Sequence, residues 1–191
     1  MIVAGNWKMN LSINEAIELS NELLKHNEIF VKEKIIIFPS FLIIHQIYNL
    51  YENSKVSIGA QDCSMYDNGA FTGQVSAKMI KDAGCKYVII GHSERRSLCH
   101  ETSSIISLKA VKAISAGLKV IICIGENLRD RENGDYLFVL EDQLKKSLSG
   151  ISSDSNLISN AVIIAYEPVW AIGTGNTASK KDIEEVHKFI K

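Results

Sequence analysis

Short apolar runs rich in β-branched residues alternate along this chain with longer amphipathic runs, and this alternation constrains the fold more than any other feature. Six runs have the length of a strand: 1–5, 34–38, 55–60, 86–90, 118–123 and 161–166. Their apolar residues are continuous rather than alternating with polar ones, which is typical of parallel strands covered on both faces. The sequence therefore predicts an α/β fold around a parallel sheet.

Helix signals separate these strands at regular intervals. Helices are predicted over 12–26, 41–51, 76–83, 102–116, 135–148 and from 179 onward. Ser12 and Glu15 match a capping box, while Gly84 and Gly117 are placed to end two helices in the left-handed conformation. The polar segment 147–160 is interpreted as one surface loop. The chain thus divides into six βα units in a single domain, 1–191, arranged as either a closed barrel or an open doubly wound sheet.

Charge and composition exclude several classes of function. The chain has 21 basic and 22 acidic residues, whereas proteins that bind nucleic acid or anionic membranes usually have a basic excess. No apolar stretch reaches the ~20 residues that span a bilayer, and no secretory signal is visible. The four cysteines form no close pair, which favours reduced thiols. We therefore expect a cytoplasmic protein that binds neither nucleic acid nor membrane.

Polar residues follow most of the predicted strands. Because the carboxyl ends of parallel strands open onto one face, these residues are expected to meet there. They are Asn6, Lys8, Gln61, Asp62, the segment 91–96, Glu126 and Glu167. A carboxylate, an imidazole and a fixed cation suit acid–base chemistry on an anionic substrate.

Each of these residues also has a plainer interpretation. Lys8 is equally compatible with a solvated surface lysine, His92 with a structural histidine and Glu167 with a helix cap. The charged run from Glu94 to Arg96 is also explained by exposure to solvent, and Arg96 is interpreted that way. No metal-ligand spacing is present.

One glycine-rich run matches a nucleotide-binding pattern. Gly173-Thr174-Gly175-Asn176-Thr177-Ala178 fits the dinucleotide fingerprint, but it lies several residues beyond its strand instead of in the first turn. The sequence also has no acidic residue at the end of a second strand about 20 positions later. A nucleotide-binding module of the open α/β type is therefore ranked last.

Four motifs, in order along the chain, resemble those of the triosephosphate isomerase family. They are Gly5-Asn6-Trp7-Lys8-Met9-Asn10, Gly69-Ala70-Phe71-Thr72-Gly73, Ile90-Gly91-His92-Ser93-Glu94-Arg95-Arg96 and Ala165-Tyr166-Glu167-Pro168-Val169-Trp170-Ala171-Ile172-Gly173-Thr174-Gly175. The resemblance implies a (β/α)8 TIM barrel and a glycolytic and gluconeogenic isomerase. Such an enzyme interconverts dihydroxyacetone phosphate and D-glyceraldehyde 3-phosphate by proton transfer through an enediolate. No cofactor and no metal are expected.

The resemblance also implies roles for individual residues. Glu167 is the expected base, and His92 is expected to donate a hydrogen bond from a neutral ring, as in a known case of this enzyme. Lys8 would place a positive charge near the substrate, and Asn6 would supply a further donor. The expected lid comprises Pro168, Val169, Trp170, Ala171, Ile172, Gly173, Thr174 and Gly175, with the N–H of Gly173 meeting the phosphate.

The motif at 69–73 resembles the loop through which family members form homodimers. Thr72, Gln74 and Arg95 are the residues expected at that contact. Gln74 stands where the family usually has a glutamate that pairs with the arginine here at Arg95 across the dimer. Because glutamine has no charge, a weaker dimer is expected.

The main departure from the family is length. A barrel of this type typically has ~250 residues, so the sequence places six βα units and lacks the strand 7 and 8 loops that commonly hold phosphate. One alternative is therefore a catalytically inactive, C-terminally truncated remnant. Open edges at the first and sixth strands also lead us to expect that the 1–191 chain folds poorly or oligomerises.

Overall fold

Six parallel strands follow one another in chain order across a single sheet in the computed structural model, which describes residues 1–26, 33–151 and 155–191. They are β1 (Ile2–Asn6), β2 (Lys34–Phe38), β3 (Ser57–Ala60), β4 (Tyr87–Ile90), β5 (Lys119–Ile124) and β6 (Val162–Tyr166). Every predicted strand is present, within two residues of its expected bounds. The sheet curls into part of a (β/α) barrel, which confirms the predicted fold class.

Helices connect successive strands. They are α1 (Ile13–Leu24), α2 (Ile44–Tyr51) after a 3₁₀ turn at Phe41–Ile43, α3 (Ala77–Asp82), α4 (Ser93–Leu98), α5 (Ser103–Ser115), α6 (Leu128–Asn133), α7 (Tyr136–Leu148), α8 (Ser155–Ala161) and α9 (Lys180–Ile190). The capping box of Ser12 and Glu15 is confirmed, as are the left-handed glycines at 84 and 117. Among the described residues, no helix is both long and apolar enough to cross a bilayer.

Three helices were not predicted. The segment 147–160, interpreted as a loop, contains most of α8, although residues 152–154 lie outside the described part of the chain. Helix α6 begins with a capping box formed by Asn127 and Asp130, a local signal that could have identified it. Helix α4 follows His92 directly, where a helix start was considered only as a possibility.

The strands divide the apolar core into two layers. Outward-facing side chains such as Ile37, Val88 and Val120 join helix residues in the larger cluster. Inward-facing side chains form a smaller cluster on the concave face, made of Ile36, Phe38, Tyr87, Ile89, Ile121 and Cys123. Within the described residues β1 pairs only with β2, and its Ile2 and Val3 are each 45% exposed. The polar residues that follow the strands lie together at the carboxyl edge of this curled sheet.

Candidate active site

A cavity of about 670 Å³ opens at the carboxyl ends of the strands. Its lining includes Asn6 at the end of β1 and Lys8 from the loop that follows, and His92 and Glu94 at the start of α4. Glu167, directly after β6, reaches the same place through its contact with His92. The structure therefore brings together four of the predicted site residues: Asn6, Lys8, His92 and Glu167.

His92 is held in a defined orientation by the helix that it precedes. It is the N-cap of α4, and its Nδ1 accepts a hydrogen bond from the backbone N–H of Glu94 at 3.2 Å. A ring nitrogen that accepts from an N–H carries no proton, so the neutral ring must carry its proton on Nε2. His92 is also buried. The helix start thus presents Nε2–H as a hydrogen-bond donor in the site.

Glu167 lies against this donor. Its Oε1 is 3.2 Å from His92 Nε2, and its Oε2 accepts from the backbone N–H of Ser93 at 3.3 Å. The backbone is fixed because the Glu167 N–H donates to the carbonyl of Ile124 at 2.8 Å. Burial, reinforced by the nearby Glu167 carboxylate, raises the pKa of the Cys123 thiol, so Cys123 stays neutral beside it. The Cys123 thiol therefore adds no charge next to Glu167.

Lys8 adopts a backbone conformation that is uncommon for a residue with a side chain. Its φ is 53°, a left-handed value that persists only where neighbouring groups hold it. The Lys8 N–H donates to Asn6 Oδ1 at 2.9 Å, and Gln61 Nε2 donates to the Lys8 carbonyl at 2.8 Å and to Phe38 O at 2.9 Å. Asn6 and Gln61 therefore fix the loop that aims Lys8. Sequence reasoning noted Gln61 after β3 but gave it no role.

Glu94 lines the cavity, although its side chain is 46% exposed. The Lys8 Nζ lies 2.8 Å from Glu94 Oε1, and this hydrogen bond lowers the pKa of Glu94 below its usual value. Its other oxygen is 3.5 Å from His92 Nδ1. Lys8 is therefore paired with a carboxylate that lines the same cavity.

Arg96 is not surface charge, contrary to its interpretation from the sequence. Its guanidinium donates to the carbonyls of Gly91 and Cys123, each at 2.9 Å. These two carbonyls lie at the ends of β4 and β5. Arg96 therefore ties together the strand ends that carry the loop of His92.

The predicted lid begins with a 3₁₀ turn, Val169–Ala171, that is fastened to a buried carboxylate. Trp170 Nε1 donates to Glu126 Oε1 at 2.8 Å, and Tyr166 Oη donates to the same oxygen at 2.9 Å. Glu126 is fully buried, and no sequence motif gave it a role. Gly173 has a φ of 68° and lies on the exposed part of the lid, outside the cavity that contains Lys8.

Arg95 belongs to a cluster of charges next to the site, in which Asp62, Glu101 and Lys109 are buried. Its Nε lies 3.0 Å from Asp62 Oδ2, and its Nη2 lies 2.6 Å from Glu101 Oε1. Lys109 Nζ contacts the same two carboxylates, at 2.7 Å and 2.5 Å. Two acids thus balance two bases. Apart from Arg95, no member of the cluster was predicted to have a role, because the pairing joins residues 47 positions apart.

Replacing Lys109 with methionine is expected to destabilise the fold by about 3 kcal/mol at pH 7, because two buried carboxylates lose one of the two cations that they share. Burial opposes the ionisation of Glu101, but the hydrogen bonds from Arg95 and Lys109 outweigh it and leave its pKa below the usual value. A folded-state pKa below the unfolded value stabilises the protein above the unfolded pKa. That stabilisation is lost as the pH falls through the folded-state pKa of Glu101. The difference in unfolding free energy between the parent chain and Lys109→Met should therefore be smaller in acid than at pH 7.

Urea unfolding at pH 7 and pH 4 measures this effect. The matched control is Lys112→Met on the same helix, because the ion pair of Lys112 with Asp67 is exposed and should contribute less than about 1 kcal/mol. Equal losses for the two variants would contradict the assignment of Lys109 as a structural charge.

Proton transfer is the chemistry that these contacts support. Among the described residues, no group of three or more His, Cys, Asp or Glu side chains is placed to hold a metal ion. The contact of Glu167 with the Nε2 of His92 joins a proton acceptor to a proton donor at the carboxyl ends of parallel strands. Fold and site together define an acid–base enzyme of the (β/α)-barrel class.

Comparison with known proteins narrows this class to one family. The family described as triosephosphate isomerase matches residues 1–191. The triosephosphate isomerase of Geotalea uraniireducens is 44% identical over 190 residues, which cover 100% of this chain and 74% of the relative. That of Pelodictyon phaeoclathratiforme is 46% identical over 191 residues with the same coverage.

A solved structure agrees with these sequence relatives. The crystal structure of triosephosphate isomerase from Bartonella henselae superposes with a TM-score of 0.84 at 35% identity, covering 99% of this chain and 73% of that one. The chain belongs to the triosephosphate isomerase family. It spans 74% of the length of the sequence relatives named above.

Proposed function

We propose that this chain interconverts dihydroxyacetone phosphate and D-glyceraldehyde 3-phosphate. The observation that carries the proposal is the 3.2 Å contact between Glu167 Oε1 and His92 Nε2, with the ring proton assigned to Nε2 by the Glu94 N–H. A base and a neutral donor this close together can act on one small substrate at the same time: the base takes a proton from carbon while the donor forms a hydrogen bond to the adjacent carbonyl oxygen. Family membership supplies the identity of the substrate.

In the proposed mechanism, Glu167 removes a proton from the carbon next to the substrate carbonyl. The electron pair of that C–H bond forms the carbon–carbon double bond of an enediolate, and negative charge develops on the carbonyl oxygen. His92 Nε2–H donates a hydrogen bond to that oxygen and disperses the charge. The protonated Glu167 then returns its proton to the former carbonyl carbon, which regenerates the carboxylate. The proton of the neighbouring hydroxyl passes to the former carbonyl oxygen through His92 Nε2, which gives up one proton and takes the other. The new C=O group therefore forms on the carbon that was first deprotonated.

Substrate binding is proposed to exchange contacts that already exist in the site. Lys8 Nζ would turn from Glu94 toward the phosphate and the enediolate oxygen, with Asn6 as a further donor. The N–H of Gly173 would meet the phosphate when the lid from Pro168 to Gly175 closes. Closure excludes water, which strengthens the electrostatic interactions and protects the enediolate. This chemistry uses no cofactor and no metal ion.

Conversion of glyceraldehyde 3-phosphate in D2O by the purified 1–191 chain tests the proposal. Transfer through an enediolate exchanges the moving proton with solvent, so NMR should detect deuterium on the new C–H bond of dihydroxyacetone phosphate. The absence of both conversion and exchange would overturn the proposal and favour the alternative of an inactive relative. Glu167→Gln is the control that separates enzymatic conversion from spontaneous isomerisation.

A homodimer is also proposed, through the loop that contains Thr72 and Gln74. The rings of Tyr66 and Phe71 stack at 3.8 Å on this loop and give it a defined shape. Large apolar side chains near the cavity are exposed, including Met9 at 96% and Leu98 at 76%. Exposed apolar surface of this kind is typical of an interaction site, and the family resemblance implies that the partner is a second copy of this chain.

Gln74→Glu is expected to tighten this dimer by less than about fivefold, a change of up to 1 kcal/mol. The added carboxylate would face Arg95 across the interface, but Arg95 already contacts Asp62 and Glu101 within its own chain. Dissociation on dilution, followed by analytical ultracentrifugation, measures the change. An unaltered or weaker dimer would contradict this prediction.

A cytoplasmic location and a single, partial TIM-barrel domain over 1–191 complete the proposal. Cys63, Cys85 and Cys123 are buried, and all four cysteines are unpaired, which suits a reducing compartment. One sheet joins the first and last described strands, which supports one domain.

A further inference from the structure

We propose that Arg131 is a positioning residue that ties together the two ends of the lid, an inference that rests on the proposed function of the lid. Arg131 lies on α6, outside the lid and outside the cavity. Its guanidinium lies between two carboxylates, and each of them holds one end of the lid.

The first end of the lid is held by Glu126. Its Oε1 accepts hydrogen bonds from Trp170 and Tyr166, and Arg131 Nη1 lies 3.9 Å from the same oxygen. Glu126 Oε2 and Arg131 Nη1 are both buried, with no hydrogen-bond partner among the described residues. A fully buried carboxylate is strongly destabilising without a nearby cation. Arg131 supplies that positive charge next to the anchor of Trp170.

The second end of the lid is held by Asp182. Ser179 is the N-cap of α9, and Asp182 Oδ2 accepts from the Ser179 N–H at 3.0 Å and from its Oγ at 2.6 Å. Asp182 Oδ1 accepts a hydrogen bond from Arg131 Nη2. One carboxylate therefore fixes both the guanidinium and the start of α9, whose N-cap Ser179 lies four residues beyond Gly175, the last residue of the lid.

Arg131 is itself held in place. The guanidinium carbon lies 4.1 Å from the centre of the Tyr136 ring, and the Tyr136 Oη donates to Glu185 at 2.5 Å. The side chain is only 16% exposed. A planar guanidinium can stack on a ring and face two carboxylates at once, whereas a lysine ammonium is a point charge. The geometry is therefore specific to arginine.

Fixing both ends limits the conformations that the lid can adopt between Trp170 and Ser179. A lid with fixed ends loses less conformational entropy when it closes over a phosphate. Without Arg131, the start of α9 loses a contact and Glu126 loses its neighbouring cation. Closure should then become less favourable, and Trp170 should be less firmly anchored.

Acrylamide quenching of Trp170 tests the anchoring without any substrate. Trp7→Phe provides the background, because the chain has two tryptophans. Arg131→Gln should increase the quenching constant, and Arg131→Lys should restore part of the protection. The matched control is Arg129→Gln, which removes the same charge from an exposed position of the same helix.

Kinetics with native Trp7 then test the effect on closure. Arg131→Gln should lower kcat/KM by roughly two- to thirtyfold, the range of couplings transmitted through packed residues, with kcat falling more than KM rises. Asp182→Asn leaves the Ser179 N-cap in place and keeps an amide oxygen that can accept from the Ser179 N–H, but it removes the charge that faces Arg131. It should therefore give the same pattern. The double variant should lose no more than the worse single variant, because both substitutions break one contact.

The quenching and kinetic measurements also separate a failure of the role of Arg131 from a failure of the proposed isomerase function. If Arg131→Gln does not fold, Asp182→Asn gives the answer. Quenching and kinetics equal to those of Arg129→Gln, in whichever variant folds, would overturn the role of Arg131. A parent chain without turnover would overturn the proposed function, whereas the quenching of Trp170 would still decide whether Arg131 anchors the lid.

Discussion

Glu167→Gln is expected to lower kcat for triose phosphate isomerisation by at least about a thousandfold while changing KM by less than about threefold. Glutamine has nearly the shape of glutamate, and its amide oxygen can still accept from the Ser93 N–H that now contacts Oε2 at 3.3 Å. It cannot accept a proton from carbon. A loss confined to kcat would therefore identify Glu167 as the base and not as a binding residue.

Two further variants sharpen this result. Glu167→Asp keeps the carboxylate but withdraws it by one methylene, and a displacement of ~1 Å can cost about a hundredfold in rate. Glu141→Gln is the matched control, because Glu141 pairs with Lys145 on the exposed face of α7. Turnover of the glutamine variant above a tenth of the parent value would place the base at another residue.

The residues that sequence reasoning identified have local signals. Asn6 and Glu167 immediately follow apolar strand runs, and Lys8 and His92 each lie two residues beyond the end of a strand. The parallel fold alone therefore predicts that they meet. The helix that starts at Ser93 fixes the orientation of His92. A helix start at this place could be considered from the sequence because it depends on neighbouring residues only. What the sequence could not supply is distance, such as the 3.2 Å contact that pairs His92 with Glu167.

The residues that it missed act through partners far along the chain. Glu126 contacts Trp170, which is 44 positions away, and Arg96 reaches the carbonyl of Cys123, which is 27 positions away. Charged side chains usually lie in solvent, so the sequence alone favours exposed positions for Arg96 and Lys109. Only the three-dimensional packing shows that these charges are surrounded by acceptors.

Backbone strain was equally invisible in the sequence. The motif around Lys8 indicated a positive charge near the substrate, but not that Lys8 has a φ of 53°. The side chains of Asn6 and Gln61 both form hydrogen bonds with the Lys8 backbone because this uncommon conformation has to be held in place. A loop that must aim one ammonium group is held by side chains from β1 and from the residue after β3.

Gly125→Ala is expected to lower the free energy of unfolding by about 3 kcal/mol and kcat/KM by at least about a hundredfold. A Cβ at residue 125 would lie 1.9 Å from the carbonyl oxygen of Glu167 and 3.1 Å from Val169 Cγ2. Gly125 cannot easily move away, because its N–H and carbonyl are both bonded to the Gln143 side chain, at 3.0 Å and 2.9 Å. The added methyl group must therefore displace the backbone of Glu167 or break the end of β5.

Gly5→Ala provides the matched control for this steric argument. The same methyl group at residue 5 would meet only the carbonyl of Ile36, at 4.0 Å, so its effect on unfolding should stay within about 1 kcal/mol. Urea unfolding and isomerase turnover, measured on both variants, separate a local shift from general damage. If Gly125→Ala kept full turnover, Glu167 could not depend on the close approach of its backbone to Gly125. The position of the carboxylate would then be set by its contacts with His92 and Ser93 alone.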